Sequence, residues 1–208
     1  AYCSISLFNV YINMSVVKFD EAEKQEIKSK TSKNMMWVGI ATMVMLFMGF
    51  TSAYIVRQEE GQWLVFDLPN ILFVSTFIIL MSSVSMVWAT RSAKKDNQKG
   101  VKNGLLITLI LGVSFAVCQY FAWVEIYDLG VFWAGVESNA AGSYLYLITG
   151  LHLAHLFAGI LSLIYTFARS LQGAYSSSNS LGLEVAALYW HFLDALWVYL
   201  FLFLYYIR

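Results

Sequence analysis

The chain has 208 residues, 59% of them hydrophobic and only 12% charged, with a formal net charge of zero and a mean hydropathy of +0.63. A soluble domain of this size carries about twice that charged fraction, so the composition excludes a water-soluble globular protein. The balanced charge leaves no basic patch for nucleic acid. Two cysteines, Cys3 and Cys118, are too few and too far apart for a disulfide framework or a CxxC site.

In chain order, "AYCSISLFNVYIN" is apolar but too short to span, and it lacks a basic n-region or a clear cleavage motif. Met14 is expected to be the natural start, with an interfacial segment as the alternative. "SVVKFDEAEKQEIKSKTSKN" then mixes both charge signs at helical spacing, as a solvated helix or tail does. A spanning helix needs about 20 mostly apolar residues, and five stretches qualify: 35–55, 70–90, 104–127, 144–168 and 184–207. The one proline, Pro69, stands just before the second, where a missing N–H costs little. The expected fold is therefore all-α, an integral membrane bundle of five transmembrane helices. Residues 1–34 form a cytoplasmic N-terminal segment and 35–207 the transmembrane domain. No internal repeat and no appended soluble domain is visible.

Orientation follows from lysine and arginine. Lys18, Lys24, Lys28, Lys30 and Lys33 precede the first span. Arg91, Lys94, Lys95, Lys99 and Lys102 follow the second, and Arg169 follows the fourth. Only Arg57 and Arg208 fall on the other side, so the N-terminus is expected to face the cytoplasm and the C-terminus outward. Tryptophans and tyrosines near span ends, such as Trp37, Trp63, Trp133, Tyr144, Tyr205 and Tyr206, read as an interfacial belt. Gly150, Ala154, Ala158 and Ser162 form a stripe of small residues that would let a neighbouring backbone approach.

Ionisable groups inside spans are expensive and normally face protein. His152 and His155 lie in the fourth span and His191 and Asp194 in the fifth, each pair three apart and so on one helix face. Antiparallel spans place His155 and Asp194 at similar depth, which leaves His155–Asp194 and His155–His191 hydrogen bonds geometrically open. Metal ligation is the other reading, but His-x-x-His on one helix is a weak signal. Di-iron bundles need several glutamates, whereas Glu184 and Asp194 are the only acids near these histidines. Arg169 is open to two readings as well, a cation at a helix C-terminus or a contact to a lipid phosphate.

"GSYLYLITGLHLAHLFAGIL" followed by "EVAALYWHFLDALWVYLFLFLYY" closely resembles subunit III of haem–copper cytochrome c oxidase, through T-G-x-H-x-x-H, then Glu and Y-W-H-F-x-D-x-x-W. "SSVSMVWATRSA" and "LGVSFAVCQYFAW" look like the family's matching helices, so the likeness covers about residues 35 to 207 and the five-helix bacterial form. Met43 and Ala122 stand where many members carry acids. The resemblance implies a non-catalytic subunit of a proton-pumping oxidase in a bacterial inner membrane. That subunit packs directly on subunit I, in a complex with subunit II and other members, and supports oxygen access and proton uptake. It implies no catalytic residue, metal or cofactor in this chain, with haem and copper in partner subunits. Arg169 is expected to hold a phospholipid headgroup, and His152, His155, Glu184, His191 and Asp194 to be interhelical struts. Lipids are expected in a cleft between the first two helices and the last three. The rivals are a haem-binding membrane cytochrome, which predicts a Soret band, and a small transporter, which predicts intramembrane acids and broken helices.

Overall fold

The computed structural model describes residues 21–59, 61, 68–134, 139–173, 175 and 180–207. Five helices account for most of them: α1 (Glu21–Glu59), α2 (Ile71–Lys94), α3 (Gln98–Asp128), α4 (Ala140–Leu171) and α5 (Leu181–Ile207). All five are long and apolar enough to cross a membrane. Each extends past its expected span, because a hydropathy window marks only the hydrocarbon-facing stretch and the helix continues into the polar interface. The earlier start of α1 follows from the same cause, since the charged lead-in is helical from Glu21 and carries a Glu26–Lys30 pair one turn apart at 2.8 Å. The expectation about Met14 lies outside the described residues.

Local chemistry sets several helix ends. Pro69 and Asn70 accept from the backbone N–H groups of Leu72 and Phe73, opening α2. Asn97 Oδ1 accepts from Gly100 N at the start of α3, and Asn139 Oδ1 from Ala141 N at the start of α4. Between α2 and α3 the chain reverses in three residues, with Asp96 at φ 53°, a left-handed position that a short polar side chain tolerates.

The chain separates into a short N-terminal unit ending at Met35 and a main unit, Met36–Arg208. Within the main unit α2 packs against α3 and α5, and α4 also packs against α3 and α5. The tightest approach joins α2 to α3, where a Cβ on Gly104 would lie 3.0 Å from the Ala89 backbone. Trp190 reaches Gly112 of α3 and Gly159 of α4 from α5, and its ring is fully buried. Close packing thus uses Gly104, Gly112 and Gly159. The expected small-residue stripe does not serve it: Ala154 and Ala158 are exposed, and Gly150 has only the Trp123 ring within 4 Å.

Helix α1 is held differently. Among the described residues none of its Cα atoms comes within 8 Å of another helix. Large side chains bridge the gap, with Phe47 against the His155 ring, Tyr54 against Tyr144 and Phe203, and Thr51 Oγ1 3.0 Å from Tyr199 OH. An apolar groove of about 330 Å³, lined by Val44, Phe47 and Met48 of α1 and Ala195, Leu196 and Tyr199 of α5, fills the space between them. The expected cleft between the first two helices and the last three is therefore corrected. The serine-rich face of α2 closes onto α3 and α5, and the opening lies on the α1 side of α5.

Candidate functional site: the polar seams of the bundle

Inside hydrocarbon backbone polar groups must be satisfied within the protein, and many side-chain polar groups of this bundle find their partners on neighbouring helices. Helix α2 supplies most of them. Ser75, Ser82, Ser85 and Ser92 are buried, spaced by seven, three and seven residues on the face that also carries Leu72, Ile79, Met86 and Ala89. Ser85 Oγ lies 2.7 Å from Thr108 Oγ1 of α3, and Gln119 Nε2 of α3 donates to Ser75 Oγ at 3.1 Å. Ser82 joins three helices, because its Oγ accepts from Trp190 Nε1 of α5 at 2.9 Å and donates toward the Thr108 carbonyl of α3 at 3.5 Å. Trp197 Nε1 donates to Thr76 Oγ1 at 3.0 Å, and Ser83 Oγ lies 2.7 Å from His191 Nδ1.

The remaining seams use fewer bonds. Trp123 Nε1 of α3 donates to Thr149 Oγ1 of α4 at 3.1 Å, and Tyr189 OH of α5 donates to the His155 carbonyl of α4 at 3.1 Å. The Trp and Tyr donors thus have a structural use beyond the interfacial belt. Exposed Trp37, Trp133 and Tyr206 keep the belt reading, and Trp63 lies outside the described residues.

The four intramembrane ionisable residues make no hydrogen bonds to one another. Neither the His155–Asp194 nor the His155–His191 hydrogen bond forms. His155 Nδ1 bonds to the Leu151 carbonyl one turn back at 2.7 Å, and its ring meets Phe47. His152 is fully buried between Phe115 and Trp197, with ring centroids 6.1 and 5.1 Å away, and neither ring nitrogen has a hydrogen-bond partner. Asp194 is buried, and both carboxyl oxygens lack a partner. The Ser83 hydroxyl faces that carboxyl, but its hydrogen bond is made with His191. Of the four, His191 alone makes a side-chain bond to another helix.

Glu184 and Arg169 lie at the end of the bundle where α2 and α4 finish and α3 and α5 begin. Ser180 Oγ donates to Glu184 Oε1 at 2.9 Å while Glu184 N donates to the Ser180 carbonyl, a reciprocal pair that opens α5. Arg169 is exposed in the last turn of α4, and its guanidinium makes no hydrogen bond or ion pair among the described residues. Beside it Lys102 Nζ donates to the Leu171 carbonyl at 3.4 Å. Tyr175 packs in the following loop, where burial raises its phenol above the ordinary value while Thr166 and the Arg169 guanidinium pull the other way. Among the described residues no three His, Cys, Asp or Glu side chains gather into a metal-binding group.

The motifs T-G-x-H-x-x-H of α4 and Y-W-H-F-x-D-x-x-W of α5 lie within the part of the chain that matches a known family. The family model described as cytochrome c oxidase subunit III matches residues 64–208. The chain belongs to the cytochrome c oxidase subunit III family. Cytochrome c oxidase subunit 3 of Spodoptera frugiperda is 32% identical over 140 residues, 67% of this chain and 89% of that protein. A probable cytochrome c oxidase subunit 3 of Rickettsia felis is 36% identical over 155 residues, 71% of this chain but only 53% of that protein. Its counterpart in Rickettsia bellii is 30% identical over an alignment of 226 residues, 99% of this chain and 78% of that protein. The subunit III match begins after α1, the helix that stands off from the other four.

Proposed function

We propose that this chain is a non-catalytic subunit III of a proton-pumping cytochrome c oxidase, packed directly against subunit I in a complex that also holds subunit II. Haem and copper belong to the partner subunits in this reading, and the intramembrane histidines of this chain organise helices. Membership of the subunit III family carries the proposal. The chemistry of the bundle is in keeping with it, since serine, threonine, glutamine and tryptophan side chains and His191 bond across the seams between helices.

The subunit holds phospholipids and supports oxygen access and sustained proton uptake. Arg169 is the lipid contact. A guanidinium that makes no bond among the described residues, at a helix C-terminus beside Lys102, suits a phosphate held by two charge-assisted hydrogen bonds. The groove between α1 and α5 offers acyl chains an apolar trough. The asymmetry of lysine and arginine supports a cytoplasmic N-terminus and an outward C-terminus, and the resemblance to the five-helix bacterial form supports a bacterial inner membrane.

Extraction of the native membrane in mild detergent, followed by capture of this chain, tests the proposal. The expected product carries oxidase haem bands in its optical spectrum and, by mass, subunits I and II. Recovery of this chain alone, from membranes that retain oxidase activity, would overturn it.

A further inference from the structure

Arg57 is a cation at the end of the bundle opposite Arg169, where Arg208 is the sequence's only other basic residue. It lies in the last turn of α1 and is exposed. Gly49, Ser52, Ala53, Val56 and Arg57 recur at i, i+3, i+4, i+7 and i+8, so they share one face of that helix. Thr51 and Tyr54 are turned elsewhere, to Tyr199 and to Tyr144 and Phe203. With Tyr144 of α4 the five residues line an open groove of about 400 Å³. Small side chains form its floor, and a Cβ on Gly49 would meet nothing within 4 Å. This trough is separate from the α1–α5 groove, which takes Val44, Phe47 and Met48 from α1.

Length and charge together say what fits. Gly49 and Arg57 are about 12 Å apart along the helix, and one leaflet contributes about 15 Å of hydrocarbon. The cation therefore stands at headgroup depth, and the floor runs most of the way to the midplane. We propose that this trough binds one phospholipid of the leaflet opposite that of Arg169, with its phosphate on Arg57 and one acyl chain laid over Gly49, Ser52 and Ala53. A guanidinium offers phosphate two parallel charge-assisted bonds. Arg57 is also engaged within the protein, and its five N–H donors serve more than one acceptor. Glu59 stands two positions on and so off this face. The helix dipole accounts for a cation at this end of α1, but not for the trough beneath it. The lipid fills the space between α1 and Tyr144, where among the described residues no close backbone approach joins α1 to α4. The site does not depend on the reading of this chain as an oxidase subunit.

The test uses the protein as purified from its native membrane, with the subunits that accompany it, in nanodiscs of phosphatidylglycerol. A fraction of that lipid carries a diazirine midway along one acyl chain, and adducts are mapped by peptide mass after irradiation. The expected adducts concentrate on residues 49–56. Arg57→Gln should lower them about fivefold, the worth of one basic residue at an anionic headgroup layer. Arg57→Lys should lower them less, because it keeps charge and loses the planar fork. Gly49→Phe builds into open space, so it should deplete the adducts without shifting the thermal midpoint. Adducts at Phe121, exposed on α3 in the same half of the bundle, should stay constant throughout. Adducts at 49–56 no denser than at Phe121, or unmoved by both Arg57→Gln and Gly49→Phe, would mean bulk lipid only and overturn the site. So would a trough free of lipid adducts and covered by a helix of another subunit.

Discussion

His152 and His191 show that similar residues in adjoining helices do different work. His152 contributes volume, packed between Phe115 and Trp197 with both nitrogens unpaired. A buried unsatisfied polar group costs about 1–3 kcal/mol, so His152→Phe should leave the thermal midpoint of the purified protein unchanged or raised. His152→Ala should lower stability by roughly 2–5 kcal/mol, because it opens a cavity. Equal damage from both would mean that the ring nitrogens matter. Arg169 gives the other residue-scale test. Arg169→Gln should reduce the phospholipid recovered by mass spectrometry and speed the decay of activity during sustained turnover, with initial turnover near that of the unsubstituted protein. Arg169→Lys, which keeps charge but loses the planar fork, should fall between. Equal lipid content in all three would reject the phosphate contact. The sequence makes the four intramembrane ionisable residues easy to find, but their partners are hard to see. Ser83 looks like any small residue of α2, and its tie to His191 crosses 108 positions of chain.

At the scale of the helix, all five elements are legible from hydropathy alone, because a run of about 20 apolar residues has few other solutions. Less legible is which face of each helix meets which neighbour. The heptad-like recurrence of Ser75, Ser82, Ser85 and Ser92 is the signal for the α2 face, and it is read only when serine is counted as a buried residue. The small-residue stripe of α4 misleads for the opposite reason. Gly150, Ala154 and Ala158 are small, but the packed position is Gly159, against Leu193 and Trp190. Packing at Gly104 is tighter still, so Gly104→Ala should push Ala89 and α2 away and cost about 1–3 kcal/mol as overpacking. Gly49→Ala, with nothing within 4 Å, serves as the control and should be neutral. Thermal unfolding in detergent separates the two, and equal midpoints would contradict the α2–α3 contact.

On the scale of the whole molecule, four helices close on one another through backbone approach and hydrogen-bonded seams, and α1 leans on them through Phe47, Thr51 and Tyr54. Tyr199→Phe removes the Thr51 hydrogen bond and keeps the ring. Spin labels at exposed Met45 of α1 and Leu202 of α5 should then report a broader distance distribution, while labels within α2 and α3 report no change. A sharp, unshifted α1–α5 distance would show that packing alone holds α1. The account as a whole turns on what the intramembrane histidines are for, and the optical spectrum of the isolated chain asks that directly. The prediction is a colourless protein, with no Soret band once it is separated from its partner subunits. A Soret band that stays with the purified chain and disappears in His152→Phe or His191→Phe would contradict it, because those rings would then be ligands and not parts of the seams.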